Sequence, residues 1–186
     1  EIIIGCVNLP LAQMKFLSNS YLVKSASLLE GLIWGINEKN SFVATICLRQ
    51  EIEILGMAHY ANCLFEFDQK DKRNRNDELM NLLLGSRIPN DSKYKAIRVS
   101  TGIKTLEQSF QETYDALSEF VHPNGMSNLA HVKDNEHFWK GDFVANPDFL
   151  VSMLNETKEV FSATLTELDN LPPMDREIGY TFFKKE

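Results

Sequence analysis

The sequence predicts an all-α protein, an up-and-down bundle of four or five main helices. Apolar residues recur at steps of three and four along most of the chain, as a helical repeat of 3.6 residues requires. The alternation of apolar and polar residues that marks a strand is nearly absent, apart from a short stretch around HFWKGDFV. Hydrophobic residues make up 44% and charged residues 24%, which is ordinary for a globular protein with a packed core.

Two long helices are expected in the first part of the chain. Residues 10–37 carry the helical pattern, with a possible break near residues 18–20. Residues 41–68 form the strongest helix candidate, because apolar residues occupy most of the circumference, which is typical of a central helix. Ser41 is the residue type that caps helix N-termini, so we expect the second helix to begin there.

Three further helices are expected after the charged connection KDKRNRN. The first is short, covers residues 77–84 and ends near Gly85. A longer helix over residues 103–122 is stopped by Pro123, because proline cannot continue a helix. The last covers residues 147–171.

The remaining segments are expected to be irregular. Residues 86–94 are predicted as a loop, and residues 126–146 as an irregular loop rich in His, Asn and Trp. We therefore expect one helical-bundle domain over residues 1–171, followed by a tail or arm over residues 172–186. Because the first residue is Glu and not Met, the natural chain is expected to begin upstream.

Charge and cysteine content favour a cytoplasmic protein without a membrane segment. The net charge is -7, which argues against generic nucleic-acid binding, although residues 70–104 hold nine Lys or Arg against four Asp or Glu. The cysteines Cys6, Cys47 and Cys63 are odd in number, lie in apolar surroundings and form no CxxC pair, so reduced, buried thiols are expected. The longest apolar runs reach about half of the roughly 20 residues that a membrane span needs.

The helix over residues 41–68 carries the first candidate site. Arg49 and Glu53 lie four residues apart and therefore share one face, and Tyr60 continues this stripe. One interpretation is a half-buried ion pair that fixes helix register. The other is that Arg49 lines a cleft and binds an anion or phosphate through its planar guanidinium.

A second polar stripe lies on the helix that ends at Pro123. Tyr114, Ser118 and His122 recur at four-residue steps, with His122 at the helix C-terminus. His122 is either a C-terminal cap, favoured as imidazolium by the helix dipole, or a general acid–base group opposite Arg49.

Other site types find less support in the sequence. His131, Asp134, Glu136 and His137 are metal-ligand types at close spacing, but they match no well-defined site, so no metal is expected. The chain has no phosphate-binding loop, no dinucleotide fingerprint and no G-x-S-x-G nucleophile motif, and no cofactor is expected.

Two motifs together resemble uncharacterised bacterial helical proteins related to the HEPN superfamily. They are LRQEIEILGMAHYANCL and YDALSEFVHPN, and the resemblance covers about residues 40–125. It implies an all-α bundle, frequent dimerisation, and a link to RNA processing, toxin–antitoxin pairs or phage defence. HEPN ribonucleases carry an Arg followed four to six residues later by His, and no His in this chain has an Arg at that distance upstream.

Three functional hypotheses follow. The leading one is a non-catalytic module that acts through protein contacts, as a homodimer or with another protein. The second is a metal-independent ribonuclease, in which His122 acts as acid–base, Arg49 holds the scissile phosphate with Glu53 beside it, and Tyr114 and Ser118 orient the histidine. The third is a small-ligand sensor, with a pocket between the Arg49 and His122 helices covered by the aromatic pair Phe138-Trp139.

Overall fold

The protein is an all-α helical bundle, as predicted. The computed structural model describes residues 9–66, 78–82, 95–121 and 147–171, and these contain no strand beyond an isolated β-bridge residue, Lys95. The helices are α1 (Leu9–Asn37), α2 (Ser41–Glu66), α3 (residues 78–82), α4 (Val99–Ile103), α5 (Gln108–Val121) and α6 (Pro147–Asn170). None of the helices in these ranges combines the length and apolarity that a membrane crossing needs.

α2 lies at the centre of the bundle and packs against α1, α4, α5 and α6. α1 and α5 run antiparallel to α2, whereas α6 runs parallel to it. Apolar residues around most of its circumference explain this position, because each side of the helix meets a different neighbour. The core forms two clusters, both of which include α2 side chains, among them Leu48, Ile52, Leu55, Ala58 and Ala61.

The connection between α1 and α2 is a tight helix-to-helix turn. α1 runs unbroken through residues 18–20 and ends with Lys39 in the left-handed conformation, at φ 56°. The Lys39 N–H donates to the Ile36 carbonyl at 3.0 Å, and the Asn40 N–H donates to the Gly35 carbonyl at 2.6 Å. This pair of bonds satisfies the last carbonyls of the helix in the arrangement known as the Schellman motif.

The predicted cap of α2 was wrong by one residue. The Val43 N–H donates to the side-chain Oδ1 of Asn40 at 3.1 Å, so Asn40 is the capping residue. Ser41 is instead the first helical residue, where its carbonyl accepts a bond from the Thr45 hydroxyl at 2.7 Å.

The predicted helix over residues 103–122 was wrong at its beginning. A turn at residues 104–107 separates α4 from α5. The Thr105 hydroxyl donates to the Gly102 carbonyl at 2.7 Å and its N–H donates to the same oxygen at 3.0 Å. These bonds compete with continuation of the helix. Leu106 nevertheless stays buried, so its hydrophobic signal reflects core packing in a turn.

α4 crosses α2 at two glycines. A Cβ at Gly56 would lie 2.9 Å from the Gly102 carbonyl carbon, and a Cβ at Gly102 would lie 2.7 Å from Gly56 backbone atoms. Only glycine allows the two backbones to approach so closely.

Several predicted features lie outside the described residues. These are the loop over residues 86–94, His122 and the irregular loop over residues 126–146 with its possible strand pairing, and the tail over residues 172–186.

Candidate functional site

The two predicted polar stripes meet between α2 and α5. Arg49 and Glu53 lie one turn apart on α2, with Arg49 Nη2 3.2 Å from Glu53 Oε1. Tyr114 and Ser118 lie one turn apart on α5. Because α2 and α5 run antiparallel, Arg49 lies opposite Ser118 and Glu53 lies opposite Tyr114. We call these four residues the Arg49 cluster.

The hydrogen bonds of the Arg49 cluster use two nitrogens of the guanidinium, Nε and Nη2. Arg49 Nε donates to the Ser118 hydroxyl at 2.9 Å, and Arg49 Nη2 donates to the Tyr114 hydroxyl at 2.8 Å. The Tyr114 hydroxyl donates in turn to Glu53 Oε1 at 3.1 Å. The guanidinium carbon also lies 4.9 Å from the centre of the Tyr114 ring, within the range of a cation–π interaction.

The cluster is half-buried, which strengthens these interactions. The Arg49 and Glu53 side chains are 28% and 25% exposed. Burial raises the pKa of the Tyr114 hydroxyl, and the nearby Glu53 carboxylate raises it further, while Arg49 opposes both effects. Tyr114 therefore stays protonated and serves as a hydrogen-bond donor. In this arrangement the positive charge of Arg49 is paired with Glu53, and its Nε and Nη2 donors are directed at residues of the same chain.

Tyr60 does not join the Arg49 cluster, although it was predicted to continue the same stripe. It lies eleven residues beyond Arg49, or roughly 16 Å along the helix. Its hydroxyl donates to Glu78 Oε2 on α3 at 2.5 Å. Burial and the neighbouring Glu78 carboxylate raise the pKa of Tyr60 to about 12. Tyr60 thus contributes to the contact between α2 and α3. The position of His122 relative to Arg49 lies outside the described residues, so its role stays a prediction.

A surface groove lies on the other side of Glu53. Its volume is about 560 Å³, and α1, α2 and the start of α4 form its walls. Leu28, Ile54 and Met57 give it an apolar lining, to which Lys24 and Glu53 add charged groups. The small-ligand hypothesis placed a pocket between α2 and the His122 helix, whereas this groove lies between α1 and α2.

The structure also brings together polar residues that the sequence did not single out. His59 Nδ1 lies 3.0 Å from Glu167 Oε1 on α6, and His59 Nε2 lies 3.6 Å from the Cys63 sulfur. Asn62 Nδ2 donates to Glu167 Oε2 at 2.6 Å. The four-residue spacing of His59 and Cys63 indicates that these two side chains share one face of α2. Glu167 is 108 residues away from His59 in sequence, so no local pattern connects them.

Glu51 on α2 also carried no signal in the sequence, and the structure shows that its side chain is fully buried. The Ser25 hydroxyl donates to its Oε1. Burial raises the pKa of this carboxyl, and the hydroxyl groups of Ser25 and Thr164 oppose that effect only in part.

Within the described ranges, no group of three or more His, Cys, Asp or Glu side chains is arranged to hold a metal ion. The residues first considered as metal ligands, in the stretch 131–137, lie outside those ranges.

We also compared the chain with known proteins, and no family model, no curated protein and no solved structure matches it.

Proposed function

We propose that the chain is a helical interaction module that acts through protein contacts and not through catalysis, with a second copy of itself as its partner. The observation that carries this proposal is the clustering of exposed large hydrophobic side chains on α1 and α6. Of the nine such residues in the described ranges, five lie on α1 and three on α6.

Five of these residues lie on one side of the bundle, in two groups. Leu22 and Leu165 are 48% and 50% exposed, and both line a small surface cavity of about 200 Å³ between α1 and α6. Because α6 is parallel to α2 and α1 is antiparallel to it, α1 and α6 run in opposite directions. Eleven residues further along each helix, Ile33 and Leu154 therefore lie at the same level, with Val151 beside them. We call these five residues the α1–α6 face.

A two-helix face of this kind is suited to meeting a copy of itself. Hydrophobic residues that are exposed singly are common on monomers, whereas several of them on one face indicate an interaction site. Under twofold symmetry, the same surface on both copies forms the interface. Two such faces would pack as a four-helix arrangement and remove the exposed leucines from water.

The Arg49 cluster supports a structural role for its residues in this module. Arg49 already donates to Tyr114 and Ser118 and is paired with Glu53, so it joins α2 to α5. A phosphate bound through Nε and Nη2 would have to displace these partners. The resemblance to HEPN-related proteins extends the proposal to a bacterial, cytoplasmic role in phage defence or toxin–antitoxin regulation.

Sedimentation velocity at several protein concentrations tests the proposal. We expect a dimer whose dissociation constant rises at least roughly tenfold in Leu22→Glu and in Leu165→Glu, because a carboxylate would be buried in the interface. Phe42→Glu is the matched control, since Phe42 is similarly exposed but lies on α2, away from the α1–α6 face. A protein that stays monomeric at about 100 µM, far above a micromolar dissociation constant, would contradict self-association through this face.

A metal-independent ribonuclease is the alternative that the Arg49 cluster favours, since a guanidinium, a carboxylate and two hydroxyls converge there. His122 would have to complete such a site. Incubation with structured and unstructured RNA, without added metal, tests this alternative. Cleavage that Arg49→Ala and His122→Ala both abolish would favour the ribonuclease over the module.

A small-ligand sensor is the third candidate, and the groove beside Glu53 is the observation that favours it. Its volume of about 560 Å³ and its apolar lining lie within the range of small-molecule sites. Binding of the amphiphilic anion anilinonaphthalene sulfonate, followed by fluorescence, tests it. Loss of that binding in Met57→Glu would support a ligand site in the groove, and unchanged binding would exclude the groove as its location.

A further inference from the structure

We propose that Cys63 is a reactive thiol that His59 activates for oxidation by hydrogen peroxide. This inference is independent of the interaction module, because it rests on a different group of residues. The site consists of Cys63, His59 and Asn62 on α2 and of Glu167 on α6, and it is a site of covalent modification.

The orientation of the imidazole ring is the first step of the argument. Its Nδ1 lies 3.0 Å from Glu167 Oε1, and its Nε2 lies 3.6 Å from the Cys63 sulfur. The carboxylate can only accept a hydrogen bond, so it selects the form of His59 that carries a proton on Nδ1. Nε2 then presents a lone pair to the thiol. A thiol, an imidazole and a carboxylate in this order are the arrangement by which proteins activate a cysteine nucleophile.

Glu167 is itself held in place for this role. Asn62 Nδ2 donates to Glu167 Oε2 at 2.6 Å and to the Glu167 backbone carbonyl at 2.8 Å. Asn62 is almost fully buried, and its own Oδ1 accepts no hydrogen bond from the described residues. Because Asn62 fixes both the backbone and the carboxylate of Glu167, the carboxylate is directed at His59 across the α2–α6 contact.

The accessibility of the site favours a small reactant. The His59 side chain is one-third exposed, and the Cys63 residue is partly exposed. The site is therefore not closed off from solvent, as reaction with a small molecule requires. The other cysteine in the described ranges, Cys47, is buried in the core, and burial raises the pKa of its thiol. The two cysteines should differ strongly in reactivity.

The chemical step requires no reagent other than peroxide. The thiol proton moves to His59 Nε2, and the thiolate attacks one peroxide oxygen. A sulfur–oxygen bond forms as the oxygen–oxygen bond breaks, so sulfur is oxidised and peroxide is reduced by two electrons. The departing hydroxide takes the proton from the imidazolium and leaves as water. The product is a sulfenic acid at Cys63.

The test measures the oxidation of both cysteines in the same protein molecule. In a Cys6→Ser background, the protein is treated with hydrogen peroxide and dimedone, and adducts are quantified by peptide mass spectrometry over time. We expect Cys63 to react at least roughly tenfold faster than Cys47, because it has a neighbouring base and access to solvent. His59→Gln should slow Cys63 by roughly tenfold and leave Cys47 unchanged.

The ratio of the two rates separates loss of the base from loosening of the fold. A variant that loosened the bundle would raise the oxidation rate of Cys47, whereas loss of the base lowers the oxidation rate of Cys63. If His59→Gln raises the oxidation rate of Cys47, Glu167→Gln becomes the deciding variant. Glu167→Gln should lower the oxidation rate of Cys63 several-fold. Equal rates at Cys47 and Cys63 in the parent, or an unchanged Cys63 rate in the deciding variant, would overturn the proposal.

Discussion

At the scale of single residues, the planar guanidinium of Arg49 connects α2 to α5. A lysine would not be equivalent, because its three donors share one nitrogen, whereas Arg49 donates to Ser118 and Tyr114 from two separate nitrogens. Tyr114 contacts Arg49 in two ways, since the face of its ring lies against the guanidinium and its hydroxyl forms hydrogen bonds with Arg49 and Glu53. Substitutions can therefore separate the two contributions to stability.

A double-mutant cycle on Arg49 and Tyr114 measures this contact. We expect Arg49→Met and Tyr114→Phe each to lower the free energy of unfolding by about 1–2 kcal/mol, because each removes a charge-assisted hydrogen bond in a half-buried place. The coupling energy should be about 1 kcal/mol. Urea unfolding of the parent, both single variants and the double variant gives these values. Additive losses would mean that the two side chains do not stabilise the fold together.

The buried carboxyl of Glu51 predicts a pH dependence of stability. Its pKa in the fold is raised by burial, so between the ordinary glutamate value and this raised value the folded state binds more protons than the unfolded state. The stability that Glu51 contributes is thus fully present at low pH and is lost as pH rises through the raised pKa.

The amide Glu51→Gln cannot ionise and should lack this loss. We expect it to be more stable than the parent by on the order of 1 kcal/mol at pH 8 and similar to the parent near pH 5. Urea unfolding at both pH values checks this. An equal change of stability between the two pH values in parent and variant would show that Glu51 does not titrate as proposed.

At the scale of elements, the end of α1 contains a strained residue. Lys39 adopts a left-handed conformation at φ 56°, which costs a residue with a Cβ roughly 1 kcal/mol and costs glycine almost nothing. We expect Lys39→Gly to raise the free energy of unfolding by about 0.5–1 kcal/mol. Lys39→Ala is the control, because it removes the same charge without relieving the strain, and it should bring no gain. The free energy of unfolding in urea is the measurement, and an equal gain in both variants would contradict the explanation.

The crossing of α2 and α4 predicts a larger effect of the opposite sign. Gly102→Ala would place a Cβ 2.7 Å from the Gly56 backbone, which cannot rotate away. We expect a loss of about 1–3 kcal/mol, typical of overpacked contacts. Ser100→Ala, at an exposed position of the same short helix, should change stability by less than about 0.5 kcal/mol. Chemical unfolding distinguishes the two, and similar small changes in both would mean that the crossing can relax.

Helical periodicity predicted most elements because the apolar face of each long helix is continuous in sequence. The prediction failed where side-chain hydrogen bonds end a helix although the apolar spacing continues. The Thr105 hydroxyl ends α4, while the buried Leu106 keeps the pattern going across the turn. The spacing of Arg49 and Glu53, and of Tyr114 and Ser118, predicted that each pair shares a face. That these faces meet depends on the interhelical register, which no local pattern encodes.

At the scale of the whole molecule, the distribution of exposed apolar side chains, more than their number, indicates where a partner binds. Ordinary proteins expose many apolar atoms, so exposure alone indicates little. Here the exposed side chains follow particular helices, and α1 carries a further stripe of Phe16, Val23 and Trp34 beyond the α1–α6 face. The central helix α2 is covered by its neighbours, which leaves the outer helices to make contacts with partners.

Hydrogen–deuterium exchange at low and high protein concentration tests the central claim, that α1 and α6 form the interface between two copies. We predict that raising the concentration from about 1 µM to about 100 µM slows amide exchange in peptides from residues 18–37 and 151–168, because association suppresses local opening of these helices. Peptides from α5 should exchange at the same rate at both concentrations. Exchange that is independent of concentration throughout, or slowing confined to α5, would contradict the account.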